Sequence, residues 1–113
     1  MRYAMLICGV EDEWAAAEAE GAMEKIFEWF GRWEAAGKIG KGGVELDTVR
    51  KARTIRPGPD GPVVTDGPYL ELKEVVGGVV ILEADDMDEA VAIASGWPMQ
   101  ASSSIEVRPV IDR

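Results

Sequence analysis

The residues best equipped for chemistry lie in one short stretch, DGPYLELKE, residues 66–74. Asp66 stands at a Gly-Pro turn close to the apolar Tyr69 and Leu70, which makes it the candidate catalytic group, a general acid or base. The same carboxylate has a plainer use, because Asp side chains start turns by hydrogen-bonding the backbone ahead of them. Tyr69, Glu71 and Lys73 are candidate ligand-binding groups, offering a phenol, a carboxylate and an ammonium from one segment. Glu71, Lys73 and Glu74 serve equally well as surface ion pairs, which contribute little to stability. Arg56 is the candidate anion clamp. It belongs with Arg50, Lys51 and Arg53 to the only basic concentration in an acidic chain, and Arg53 offers the same two-point contact to a carboxylate or phosphate.

Composition removes several other chemistries. The chain of 113 residues carries a net charge of −9 and has no histidine. Binding nucleic acid nonspecifically needs phosphates to be neutralised by Lys and Arg, so an acidic surface argues against a nucleic-acid partner. Cys8 is the single cysteine, which excludes an internal disulfide and any paired-cysteine site. Its apolar neighbours suit a small hydrophobe in a strand. Asp85, Asp86, Asp88 and Glu89 resemble a metal cluster in composition but lack EF-hand spacing. They also precede a helix, whose N-terminus favours negative charge, so no metal site is expected. The serines at 102–104 have no histidine base for a nucleophilic triad and read as loop residues. Gly40, Gly42 and Gly43 are followed by no Lys-Ser/Thr pair, so they make no phosphate loop. No cofactor is expected.

The elements that must position residues 66–74 follow from periodicity. Residues 3–8 are a continuous apolar run, the pattern of a strand covered on both faces. The acidic residues 11–13 break that run. From 14 to 36 the period is helical, with Met23, Ile26, Phe27, Phe30 and Trp33 on one stripe and Trp29 extending it alongside Ala22 and Ala36. A helix of that length predicts a break near Gly21, and Gly37 is placed to end it in the left-handed conformation. Residues 38–46 read as a Gly-rich strand bulged at Gly42 and Gly43. Residues 52–56 and 63–65 flank the turn PGPDGP and predict a hairpin. A strand at 79–83, a helix capped by Asp86 with Glu89 three residues on, and a final alternating strand at 105–111 complete the order. Gly96 and Pro98 stop that helix.

With the hairpin set aside, this is an α+β chain of ferredoxin-like β-α-β-β-α-β order in a single domain, residues 1–113. Two helical segments cover one face of such a sheet. The strands at 3–8 and 79–82 are apolar on both faces, so a second copy packed sheet against sheet is the expected cover. A homodimer is therefore expected. No signal peptide is expected and no apolar run nears the ~18 residues of a membrane span, so neither membrane association nor a location outside the cytoplasm is expected.

The stretch DGPYLELKE, followed by Gly77-Gly78 and an apolar strand, resembles the signature DGPFxExKE of the DGPF family, part of the wider YCII-related superfamily. The resemblance runs along nearly the whole chain: RYAMLI at the start, AAGKI after the long helix, TIR before the turn, the helix from Asp86, and IEVRPV near the end. It implies a dimeric α/β barrel built from ferredoxin-like units. Tyr69 stands where the family usually has Phe, Leu70 where it often has Ala, and Leu72 where it often has Thr. Tyr69 keeps the ring and adds a hydroxyl that needs a partner if buried. Better-studied relatives use a His–Asp pair, and the resemblance sets Asp66 at the acidic position. Without a histidine, that mechanism does not carry over. DGPF-type genes accompany alternative sigma factors, which implies a regulatory or sensing context.

Three functions follow as expectations. The first is a domain that binds or senses a small organic ligand. The second is a cofactor-independent lyase or isomerase acting on a small organic acid, with Asp66 as acid/base and an Arg orienting the substrate. The third is a dimeric scaffold for a protein partner.

Overall fold

The structure is a computed structural model and describes residues 1–68, 74–99 and 103–113. The apolar run near the N-terminus becomes β1 (Arg2–Gly9), one of two central strands. It pairs antiparallel with β5 (Val75–Glu83) on one side and β6 (Ser104–Pro109) on the other, and a short edge strand β2 (Val44–Glu45) pairs with β5. The order β2-β5-β1-β6 is that of a ferredoxin-like sheet. The hairpin of β3 (Arg53–Gly58) and β4 (Gly61–Asp66) forms a separate two-stranded sheet.

The long helical stretch is two helices, α1 (Glu11–Ala19) and α2 (Ala22–Ala35), with Gly21 between them at φ +89°. The predicted break is there for the reason given: a left-handed residue interrupts the helix, and glycine adopts it without a Cβ clash. The acidic residues 11–13 belong to the first turn of α1 instead of a loop, where the helix dipole favours them. Gly37, at φ +73°, ends α2 in a Schellman turn. Lys38 donates its N–H to the Trp33 carbonyl (2.9 Å) and Gly37 donates to Glu34 (3.0 Å).

The core lies between one face of the sheet and the helices. Tyr3 and Met5 of β1 and Val80 and Leu82 of β5 meet Trp29 of α2 and Ala90, Ile93 and Ala94 of α3 (Met87–Ala94). Trp29 is the centre of the α2 stripe, 5% exposed, and its Nε1–H donates to the Ile93 carbonyl at 3.1 Å. Its ring stands edge-on to Phe30 and Trp97 at centroid distances of 5.1 and 5.0 Å. Phe27, expected on the same stripe, points outward instead. With Trp29 facing the sheet, position 27 lies about 200° around the helix from it.

Residues 38–46 follow the edge of β5 with an interruption. Ile39 bridges Leu82, and the ladder resumes at Val44 opposite Val79, so the edge strand uses two more residues than its partner. Gly42, at φ +105°, lies in that bulge. A Cβ on Gly43 would sit 2.9 Å from the Val79 carbonyl oxygen, so the close approach of the two backbones requires glycine there.

Among the described residues, no helix lies on the second face of the sheet. Ladder register puts Ala4, Leu6 and Cys8 of β1, Val76, Val79 and Ile81 of β5 and Val44 of β2 on it, with Glu106 and Arg108 of β6 at its margin. The chain exposes 7910 Å² at 12.2 kDa. A compact monomer of that mass exposes about 6,100 Å², so this chain has an excess of roughly 1,800 Å². The radius of gyration is 16.1 Å, where a compact chain of this length has about 13 Å.

Candidate functional site

The hairpin register determines what stands beside Asp66. The turn is only two residues, Pro59 and Asp60, with Gly58 opposite Gly61, so pairing extends into the segment whose proline and glycine content suggested a longer turn. Counting back along this ladder puts Arg53 opposite Asp66. The Arg53 Nε lies 3.0 Å from Asp66 Oδ1, with the side chains 60% and 89% exposed. Thr54 faces Thr65, Ile55 faces Val64 and Arg56 faces Val63. Strand residues alternate sides, so Arg56 lies on the opposite face of the hairpin from Asp66, about 10 Å further along. The cation brought to Asp66 is therefore Arg53. A two-residue reading of the turn is the signal in the sequence that selects it over Arg56.

The base of the hairpin is tied down. Gly67, at φ +85°, donates its N–H to the Ala52 carbonyl (2.8 Å), and Thr54 Oγ1 donates to the Gly67 carbonyl (2.7 Å). Asp66 thus ends a strand at a fixed turn, with its carboxylate paired to Arg53 and open to water. Tyr69, Glu71 and Lys73 lie outside the described residues.

The segment 66–74 connects this base to the start of β5, where Val75 pairs with Gly9. Trp14 of α1 covers that end of the sheet. Its ring leaves no room for a Cβ on Gly77 (2.6 Å) or Gly9 (2.9 Å), and the Ser103 hydroxyl lies beside the latter at 3.0 Å. Glu11, at the start of α1, accepts from Thr48 Oγ1 (2.8 Å) and the Val49 N–H (2.9 Å), just before the 3-10 turn Val49–Lys51 that leads into β3. These long-range bonds fix the hairpin's entry relative to the sheet. Sequence reading missed Glu11 and Trp14, since neither the acidic residues 11–13 nor a lone tryptophan signals so distant a contact.

Cys8 faces the open side of the sheet. Burial pushes its thiol pKa up, and the nearby carboxylates of Glu74 and Glu106 push it further. That disfavours the thiolate, the form in which cysteine is nucleophilic. Ser104, read as a loop residue, opens β6 opposite Cys8. Among the described residues, no three Cys, Asp or Glu side chains converge as a metal site would require.

An antiparallel sheet of order β2-β5-β1-β6 with helices on one face defines a ferredoxin-like α+β protein. The sequence matches the YCII-related domain family over residues 1–113, and the chain belongs to that family. It is 30% identical over 115 residues to an uncharacterised protein of Rhizobium meliloti (strain 1021), covering 97% of this chain and 92% of the relative. Among the described residues, no helix is long and apolar enough to cross a membrane.

Proposed function

We propose that this YCII-related domain is a homodimeric binding or sensing domain for a small organic acid. The observation that carries the ligand reading is the Arg53–Asp66 pair, a cation and an anion 3.0 Å apart, both open to solvent at the anchored base of the hairpin. A guanidinium takes a carboxylate in two-point geometry, and the aspartate can accept from a hydroxyl or ammonium on the same ligand. Tyr69, Glu71 and Lys73 follow directly in the chain and supply further contacts on this reading, with Arg56 at the periphery. An exposed Asp66 favours binding over lyase or isomerase chemistry, because a reaction centre at a side chain 89% exposed excludes no water.

The dimer rests on the surface excess. Roughly 1,800 Å² per chain is enough for the interface of an obligate homodimer. The open apolar face of Ala4, Leu6, Val79 and Ile81 is the surface that a second sheet covers, closing a dimeric α/β barrel. The proposed working compartment is the cytoplasm.

The test is NMR titration of the ¹⁵N-labelled protein with short-chain hydroxy-, keto- and aminocarboxylates. The expected result is saturable shifts of the amides at 53 and 66–74, lost in the Arg53→Gln variant. No saturable shift with any of them up to millimolar concentration would exclude this reading.

A further inference from the structure

The pair proposed to hold the ligand stands at the open end of its hairpin. Arg53 and Asp66 are the first partners of the β3–β4 ladder, and the tight turn at Pro59 and Asp60 closes the other end. A two-stranded hairpin is marginal by itself in water, and its ladder frays first where no turn closes it. Among the described residues, neither strand makes an extensive contact with another element, so packing does little to hold that end together. The backbone bond from the Gly67 N–H to the Ala52 carbonyl, 2.8 Å long, lies just outside the pair. Holding Ala52 in place therefore holds Arg53 opposite Asp66.

Ala52 is held from the body of the chain. Glu11, half-buried in the first turn of α1, gives its two carboxylate oxygens to different partners: Oε2 accepts from Thr48 Oγ1 at 2.8 Å and Oε1 from the Val49 N–H at 2.9 Å. Residues 47–52 pass that grip on. Asp47 accepts from the Thr48 N–H (2.7 Å) and the Lys51 ammonium (2.8 Å). Lys51 donates its N–H to the Thr48 carbonyl (3.0 Å), and Ala52 donates to that of Val49 (3.1 Å). Glu11 is itself anchored. It lies two residues beyond the Gly9–Val75 pair of the sheet and three before Trp14, whose ring fills the space over Gly9 and Gly77.

We infer that Glu11 is a positioning residue for the Arg53–Asp66 pair: its two hydrogen bonds staple the lead-in of β3 to the sheet and keep the pair formed before a ligand arrives. The inference rests on the ligand reading proposed above and names a residue, distant in sequence, on which the affinity depends. A pair that must be ordered at the moment of binding loses affinity, so the staple acts by preorganisation. Hydrogen bonding carries the role, and charge does not. A glutamine at position 11 meets both partners, because its amide oxygen accepts from the Val49 N–H and its NH2 donates to Thr48 Oγ1. An alanine meets neither.

The test compares wild type, Glu11→Ala and Glu11→Gln well below their unfolding temperatures, by the carboxylate titration described above and by amide hydrogen exchange. Glu11→Ala binds on the order of tenfold more weakly, as the loss of a hydrogen bond to a charged group would give. Its Gly67 N–H exchanges faster, while the amides of β1 and β5 keep their protection. Glu11→Gln stays close to wild type in both measurements. An alanine variant with wild-type affinity overturns the positioning role and leaves the ligand reading standing. Weaker binding with faster exchange throughout β1 and β5 also overturns it, since that is a loss of global stability. Alanine and glutamine variants weakened alike overturn it too, because the effect then belongs to the negative charge at the start of α1. A wild-type protein that binds none of the carboxylates overturns both the ligand reading and the role of Glu11 in it.

Discussion

Individual residues show how far a side chain's neighbourhood departs from what its type suggests. Arg56 and Arg53 are chemically identical candidates, yet alternation along β3 gives only Arg53 to Asp66. That choice was encoded in the chain, but reading it required the length of the turn. Trp29 is a second case: its place at the centre of α2 is explained by the one polar atom it buries, since the indole N–H reaches the Ile93 carbonyl. Trp29→Phe keeps most of the ring contacts and costs about 1 kcal/mol, the net worth of that hydrogen bond. Trp29→Ala also removes the packing against Phe30 and Trp97 and costs about 3–5 kcal/mol. Urea unfolding of the two variants at one protein concentration checks the ordering. Equal losses would mean that the ring contacts contribute nothing.

The elements were legible where a local signal specifies them. The Asp86 carboxylate accepts from the Glu89 N–H at 2.8 Å, as the capping pattern predicts, and the Gly21 break and the Gly37 stop follow from glycine's left-handed freedom. Other features depend on partners far along the chain. Glu89 reaches past its own cap to the Asp85 N–H (3.0 Å) and to the Lys38 ammonium (3.1 Å), joining the start of α3 to the end of α2. The Asp85 N–H first, and then Lys38, hold its carboxyl below the ordinary glutamate range. A lowered pKa in the folded protein contributes stability that is complete above the unfolded value, about 4.3, and is lost as pH falls through the folded one. Glu89→Gln is therefore less stable than wild type at neutral pH, and thermal melts should show the gap narrowing below about pH 4. A gap that stays constant into strong acid would mean that the carboxylate's charge plays no part. The edge strand at 38–46 is an intermediate case: the glycines announce a bulge, but its two-residue offset against β5 is set by the ladder on either side.

At the scale of the whole molecule, the sheet order and the position of the core followed from the alternation of strand and helix patterns. The shape did not. Nothing local in residues 53–66 says that the hairpin projects from the body instead of folding onto the sheet, because that depends on the long-range bonds from Glu11 to Thr48 and Val49. The apolar character of both faces of β1 and β5 did announce uncovered surface, and the extended shape enlarges it. On the proposed reading, the open sheet face takes its meaning from a second copy. The most direct test is the mass of the wild-type protein by sedimentation equilibrium from nanomolar to micromolar concentration. The account predicts a species of twice the 12.2 kDa chain mass that persists on dilution. A single species at the chain mass throughout would contradict it.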